Sequence, residues 1–275
     1  MKKGFSWLTA LFTAVSAVYL YPLALVAVNS FKKKAYISRQ PFSLPNAQTF
    51  AGFANYQKGV ELTHFLSAVL TSLLITVCSV ALILLCTSMC AWFISRVRSH
   101  MMHGLYLLFL FSMVVPFQMV MFTLSRLANL LGLNTPLGIV IIYLGFGAGL
   151  SVFLFTGFVN ACPAAVEESA LIDGCNPLRL FFAIVLPILR PTAVSVGILQ
   201  TMWIWNDYLL PYLVLDLKRF RTIPIAVQYL RGGYGSVDMG AMMAMLVLAI
   251  IPIVVFYLLC QKYIVSGVMA GAIKG

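Results

Sequence analysis

Charged side chains are scarce in this sequence. Of its 275 residues, 9% are charged and 62% are hydrophobic, whereas soluble domains are about 25% charged. Composition therefore excludes an ordinary soluble domain. Acidic residues are the scarcest, with seven against 18 Lys and Arg. The basic residues are spread over several short segments and form no contiguous basic domain, which argues against a nucleic-acid partner. We interpret them as residues flanking membrane spans.

Patterns that carry catalysis or bind metal are also missing. The six cysteines include no Cys-x-x-Cys pair, so no metal site is predicted. There is no Gly-x-x-x-x-Gly-Lys-[Ser/Thr] phosphate loop, and His64, His100 and His103 lie in loops or at the ends of apolar runs. No nucleophile, base and orienting group stand at a recognisable spacing. We therefore expect neither a cofactor nor an enzymatic activity in this chain.

Long apolar runs are abundant. About 20 residues cross a hydrocarbon core of about 30 Å, and each of the six runs has at least 22. Nothing in them alternates as transmembrane β-strands do. The sequence predicts an all-α polytopic membrane protein with a single domain over 1–275. Its six predicted spans are 5–28, 65–94, 104–125, 137–159, 193–215 and 239–260.

Prolines and basic residues predict less about the structure than the apolar runs do. Four prolines lie inside runs and favour kinks, although proline is common in membrane helices in any case; they are Pro22, Pro116, Pro211 and Pro252. Eight Lys and Arg fall on the side of the membrane that holds both termini, and ten fall on the other side. The positive-inside rule therefore leaves the orientation open.

The connection 160–192 is the most informative segment and predicts two short helices. Glu167 and Glu168 stand early in the first helix, where acids favour the helix dipole, and Gly174 can end that helix in a left-handed conformation. Asn176 and Pro177 are suited to begin the second helix. Small residues and acids would let the first helix enter a cleft on a soluble partner. A continuous apolar face is predicted for the second helix, made of Leu178, Phe181, Phe182, Val185 and Leu186.

This segment resembles the EAA motif of ABC-importer permease subunits. The pattern is Glu168-Ser169-Ala170, then Gly174 after three residues, then Ile184 after nine more, followed by Leu186-Pro187. Ser169 and Cys175 stand where the family usually has alanine, and both are small. The resemblance implies that a cytoplasmic coupling helix in this loop docks on an ATPase. The residues it assigns to coupling are Glu168, Ser169, Ala170, Asp173, Gly174, Ile184, Leu186 and Pro187.

The resemblance covers nearly the whole chain and narrows to carbohydrate importers of the maltose-permease G-subunit type. Asn29-Ser30-Phe31-Lys32 is similar to the family's exit from its first helix, and Trp205-Asn206-Asp207 to its Trp-Asn-acid triplet in span five. Ile223-Pro224 and Gln228 also fit its C-terminal part. The ending resembles a tail that reaches toward the ATPase, with Gly271, Lys274 and Gly275 as its site residues, although its composition alone favours a frayed terminus.

The family resemblance implies a set of partners. They are a second homologous permease subunit, two copies of an ATPase that binds ATP and Mg, an extracytoplasmic solute-binding protein, a sugar or oligosaccharide, and membrane lipid. It also implies a location in the prokaryotic cytoplasmic membrane with both termini and the motif loop cytoplasmic. A secondary transporter or channel subunit is the alternative, and it would need ionisable groups at membrane depth. Asp207 is the one charged residue inside a run.

Asp207 has two interpretations, because an uncompensated charge in a span costs several kcal/mol. With Trp205 and Asn206, it could line the outer part of the sugar path or hold a kinked helix against the partner permease. Alternatively, its carboxylate is satisfied by backbone groups freed near Pro211. The sequence leaves both open.

Overall fold

The computed structural model describes residues 7–97, 99–230 and 238–272, with 262–272 described by their backbone. The described residues fold almost entirely into helices. These are α1 Trp7–Ser30, α2 Lys34–Arg39, α3 Ala54–Thr63, α4 Phe65–Arg96, α5 His100–Val114, α6 Phe117–Leu130, α7 Pro136–Ala161, α8 Ala165–Ile172, α9 Pro177–Leu180, a π-helical turn Phe181–Val185, α10 Leu186–Ile188, α11 Arg190–Asn206, α12 Leu209–Val214, α13 Ile223–Gln228 and α14 Met239–Ala272.

Four of the described helices are long and apolar enough to cross a membrane by themselves: α1, α4, α7 and the Met239–Gln261 part of α14. Two bent pairs also qualify. The helices α5 and α6 meet at 101°, and Pro177–Ile188 meets α11 at 76°. Counting each pair as one span gives six, the number that the sequence predicts, although the second pair covers 177–206 and the fifth predicted span is 193–215. Breaks lie inside the predicted spans 104–125 and 193–215, before α6 and before α12, near two of the prolines expected to favour kinks, Pro116 and Pro211.

Prolines cause the breaks before α6 and before α12. Val115 is extended, with ψ 113°, because the ring of Pro116 disfavours a helical conformation in the residue before it. At the second break, Pro211 lies in the first turn of α12, where its missing N–H leaves no bond unmade. Its ring would clash with the carbonyl of Asp207, four residues earlier, so α11 ends at Asn206. Pro22 and Pro252 lie within the continuous helices α1 and α14.

The chain forms two compact units, and the first comprises Met1–Val69 and Ile223–Val254. Within it, the Asn55 side chain donates to the carbonyls of Ser30 and Lys32, at 2.7 and 2.8 Å. Lys32 is fully buried and donates through Nζ to the Gln40 carbonyl at 2.8 Å. Burial lowers the pKa of Lys32. Lys32 is one of the basic residues of segment 29–64 that enter the count for the positive-inside rule, but it does not lie at the surface.

The second unit comprises Leu70–Thr222 and Val255–Gly275. One of its apolar clusters joins α4, α5 and α7 to the segment after α7. Its buried members are Ala91, Ile94, Met102, Val152, Phe155, Val159, Ala170, Leu180, Phe181, Val185, Leu189 and Val196. The segment that carries the motif is therefore packed onto the ends of spanning helices.

Candidate coupling segment

The first helix of the motif, α8, ends as its sequence predicts. Gly174 has φ +85°, a left-handed conformation that favours glycine. Its N–H donates to the Leu171 carbonyl, and the Cys175 N–H donates to the Ala170 carbonyl, both at 3.0 Å. These two bonds form a Schellman motif, which satisfies carbonyls left free at the helix end. The turn therefore fixes the direction in which the chain leaves α8.

The motif residues of α8 divide between two sides. Glu168, Ser169, Asp173 and Gly174 are exposed, whereas Ala170 is 6% exposed and belongs to the apolar cluster. The exposed Ser169 hydroxyl donates to the Ala165 carbonyl at 2.5 Å, which explains why serine is accommodated there. Of these five positions, Ala170 packs inside this chain and the other four are open to a partner.

The second helix begins as predicted, but its apolar face is different. Asn176 caps it by accepting the Arg179 N–H at 2.8 Å. Leu178 and Phe182, predicted to be on the apolar face, are 63% and 50% exposed. Of the other three residues predicted for that face, Phe181 and Val185 are buried and Leu186 is half-buried. The buried side chains are Leu180, Phe181, Val185 and Leu189.

The remaining motif residues lie within or after the π-helical turn. Ile184 and Leu186 are half-buried and pack against the apolar cluster. Pro187 is exposed and lies in the first turn of α10, where its missing N–H is tolerated. The end of the motif therefore packs within this chain through two side chains and leaves the proline open.

The sequence analysis missed the polar cluster that holds α8 to α4. Glu167 is buried and accepts hydrogen bonds from Trp92 Nε1 at 2.8 Å and from Arg96 Nη2 at 2.6 Å. Arg96 Nε donates to both carboxylate oxygens at 3.0 Å. The signal was present, because Trp92 and Arg96 are four residues apart and so share a face of α4. Their partner across the loop is not visible in a linear pattern.

Hydrogen bonding decides the ionisation of Glu167. Burial favours the neutral acid, but the bonds from Arg96 and Trp92 and the Arg96 charge outweigh it, so the pKa of Glu167 lies below its usual value. Glu167 is therefore an anion at neutral pH. The neighbouring Glu168 points to the exposed side of α8 instead.

The triplet in span five is placed at the break between α11 and α12. The Asp207 carboxylate accepts from the Tyr143 hydroxyl at 3.0 Å and from the Leu209 N–H at 2.9 Å. Trp205 is buried, whereas Asn206 is exposed and donates to the Met202 carbonyl at 2.7 Å. The backbone N–H groups that donate to the Asp207 carboxylate belong to the first turn of α12. They are available because a helix begins there, and not because Pro211 leaves a helical hydrogen bond unmade.

A second polar cluster joins α7 to α11 and was also missed. The buried Gln200 donates through Nε2 to the Gly147 carbonyl at 3.2 Å and to Ser151 Oγ at 3.0 Å. Both bonds lie between helices that qualify as spans or parts of spans. An isolated glutamine in an apolar run is the sequence signal that could have found this cluster.

The predicted tail lies at the limit of the described residues. The backbone of α14 stays helical through Ala272 and so includes Gly271, well past the predicted span end at 260. Lys274 and Gly275 lie outside the described residues.

With four to six candidate spans, the described residues form a polytopic helical membrane protein, and the motif-bearing helix α8 is anchored outside those spans. The family described as "Binding-protein-dependent transport system inner membrane component" matches residues 83–269. The chain belongs to this family. The resemblance to ABC-importer permeases is therefore confirmed, and the chain is a transport permease subunit.

Two relatives and one solved structure agree with this assignment. The chain is 37% identical to the probable starch degradation products transport system permease protein AmyC of Thermoanaerobacterium thermosulfurigenes, over 97% of this chain and 96% of that protein. It is 31% identical to the multiple sugar-binding transport system permease protein MsmG of Streptococcus mutans, over 99% and 98%. A bacterial ABC transporter involved in the import of the acidic polysaccharide alginate has the same fold, with a TM-score of 0.77, 20% identity and coverage of 92% and 94%.

Proposed function

We propose that this chain forms, with a second homologous permease, the membrane path of an ATP-driven importer for a sugar or oligosaccharide. The proposal rests on one observation about the short helix α8. This helix is fixed to the spanning helices on its Glu167 and Ala170 side and is exposed on its Glu168 side. The substrate class is supported by the names of the relatives, which concern starch products and multiple sugars.

The partners follow from the family and the motif. The complex would contain two ATPase subunits, which hold ATP and Mg, and an ATPase would dock on α8 through Glu168, Ser169, Asp173 and Gly174. Hydrolysis would then occur in those subunits and not in this chain. A solute-binding protein would deliver the sugar on the opposite side, where segment 29–64 lies. In this proposed arrangement, both termini would lie in the cytoplasm of a prokaryotic cell.

The contacts of Asp207 bear on the alternative of a secondary transporter or channel. Ion coupling needs an ionisable group that exchanges an ion or a proton with the path. Asp207 is the one acid inside a predicted span, and its partners are a tyrosine and the backbone of its own chain. These contacts suit a group that fixes a helix break. The sequence offers no second acid at that depth.

Purification tests the proposal directly. The tagged chain, expressed with the products of its neighbouring genes, is extracted in mild detergent, and its stable partners are identified by mass spectrometry. We expect a second permease and an ATPase. The co-expressed binding protein is then screened against sugars by thermal shift. A stable complex that contains no ATPase would overturn the proposal.

A further inference from the structure

The end of α4 holds α8 through more than one contact. Four hydrogen bonds of 2.6–3.0 Å join Trp92 and Arg96 to the Glu167 carboxylate. The Arg96 and Glu167 side chains are 23% and 12% exposed, so water screens this ion pair little. Arginine and a carboxylate in this geometry are fixed in orientation as well as in distance.

The same two α4 side chains also contact both flanks of α8. Arg96 Nη2 donates to the carbonyl of Cys162, which follows the last residue of α7, at 3.3 Å. The Trp92 ring lies 5.7 Å from that of Phe181, in the π-helical turn after α8. One turn of α4 therefore contacts the chain before, within and after α8.

This arrangement determines which other helix would move when α8 is displaced. Short segments link α8 to α7 and to α9, and such links could deform and absorb a displacement. The ion pair instead ties α8 to α4, an unbroken helix of 32 residues. At 1.5 Å per residue, a helix of that length is about 48 Å long, more than the thickness of a hydrocarbon core.

We propose that Trp92, Arg96 and Glu167 are positioning residues that transmit displacement of α8 to α4, so that events in the docked ATPase move a spanning helix. The inference rests on the proposed function and adds to it the specific connection. Glu168 would contact the ATPase, and Glu167 would carry the movement inward. The two adjacent glutamates would thus contact different partners, the ATPase and α4.

The test uses the whole complex and a labelled position on α4. Leu70 is 58% exposed in the first part of α4 and lies in the same unit as Arg96 and Glu167. In Leu70→Cys, introduced into a cysteine-free background, maleimide labelling is measured with and without ATP plus vanadate. The wild-type connection should give an ATP-dependent change in the labelling rate. Arg96→Ala and Glu167→Gln should reduce that change at least fivefold, while the ATPase stays bound and hydrolyses ATP within twofold of wild type.

Matched variants separate transmission from folding. Trp92→Phe keeps an aromatic ring beside Phe181 but removes the N–H donor and part of the ring system, so a reduction of about twofold is expected. Arg96→Lys, which keeps the charge and loses the two-pronged geometry, should recover part of the change that Arg96→Ala loses. Arg190→Ala removes an exposed arginine from the same connection, 160–192, and should leave the labelling change as it is in wild type. The double variant of Arg96→Ala with Glu167→Ala should lose no more than either single change, since residues that act as one unit are not additive.

The outcomes are distinct for the two proposals. If no ATPase joins the unmutated complex, the proposed function fails. If the complex assembles and responds to ATP, but Arg96→Ala, Arg96→Lys and Glu167→Gln all keep the full labelling change, the transmission role is wrong. It is also wrong if these variants lose ATPase binding in proportion to the labelling change, because the cluster would then serve only to fold α8.

Discussion

The hydroxyl of Tyr143, on α7, donates to the carboxylate of Asp207 at 3.0 Å, across the break that separates α11 from α12. Tyr143 is fully buried and its ring packs edge-on against Trp203, 5.4 Å between centroids. Asp207 also accepts the N–H of Leu209, the first residue of α12, and so caps that turn from the position before its N-cap residue, Tyr208. The Asp207 side chain thus accepts a backbone N–H in the first turn of α12 and links that turn to α7.

Hydrogen bonding, not charge, should be the requirement at Asp207. Asp207→Asn keeps an acceptor for Leu209, so we expect the complex to retain its yield and most of its uptake. Asp207→Leu leaves the Tyr143 hydroxyl and the Leu209 N–H unpaired, at a cost of about 1–3 kcal/mol for each buried group. Complex yield, thermal unfolding in detergent and uptake of the sugar identified for the binding protein measure these effects. Tolerance of Asp207→Leu in all three would refute the capping role, and loss of uptake alone in Asp207→Asn would show that the charge serves the path.

Backbone conformation should dominate the effect of replacing Gly174. No atom lies within 4 Å of the position that a Cβ would take, so space is available and only the positive φ is costly. Gly174→Ala should cost about 1–2 kcal/mol, and Gly174→Asn less, because asparagine tolerates this conformation. Co-purification of the ATPase measures the consequence. Gly157→Ala, at a helical glycine that also has open space around its Cβ position, is the control. Equal ATPase recovery from Gly174→Ala and the control would mean that the turn does not position α8.

Close packing at Gly147, in α7, should make this glycine sensitive to an added side chain. An added Cβ would lie 2.7 Å from Ile83 Cδ1 and 3.1 Å from Gln200 Oε1. Gly147→Ala should therefore destabilise the protein by about 1–3 kcal/mol, as overpacking does in other cores. Gly145, two residues earlier, has nothing within 4 Å of its Cβ position. Thermal unfolding in detergent compares the two alanine variants, and an equal midpoint would contradict the packing.

The stabilisation from Glu167 should depend on pH in one direction. Its pKa is lowered in the folded protein, so the ion pair contributes fully above the ordinary glutamate value of about 4.3 and is lost as pH falls through the lowered pKa. Between pH 8 and pH 5.5, wild type should exceed Glu167→Gln by a constant amount, about 1.5–3 kcal/mol for bonds to a charged group. The difference should shrink at more acidic pH. Glu168→Gln, at an exposed side chain, is the control, and a Glu167→Gln variant as stable as wild type at pH 7 would disprove the effect.

Deletion of the tail tests the remaining sequence prediction. Removing 266–275 takes away Gly271, Lys274 and Gly275 together with the last part of α14. We expect unchanged membrane insertion with reduced uptake and reduced stimulation of the ATPase. Deleting 273–275 alone preserves the described helix and isolates the contribution of its last residues. Wild-type uptake in the longer deletion would favour a frayed terminus without a role.

Much of the architecture could be predicted from sequence because membrane spans depend on length and composition. An apolar run longer than a bilayer core is recognisable whatever its neighbours are. Gly174 and Asn176 could also be predicted, since helix ends depend on a few adjacent residues. The breaks at Pro116 and Asp207 were predicted only as possible kinks. Whether a proline bends a helix depends on its distance from the helix start and on the packing around it, and Pro22 and Pro252 lie in unbroken helices.

Local composition and spacing were enough to predict membrane spans, to identify the family and to locate the motif, because none of these depends on distant parts of the chain. Only the tertiary structure decided which side of each motif residue is buried. It placed Ala170 in the core, Glu167 against Arg96, and Gln200 against Gly147. Glu167 and Arg96 are 71 positions apart, and Gln200 and Gly147 are 53 positions apart. The physical reason is that burial depends on which distant helix lies opposite, and no pattern along the chain specifies that neighbour.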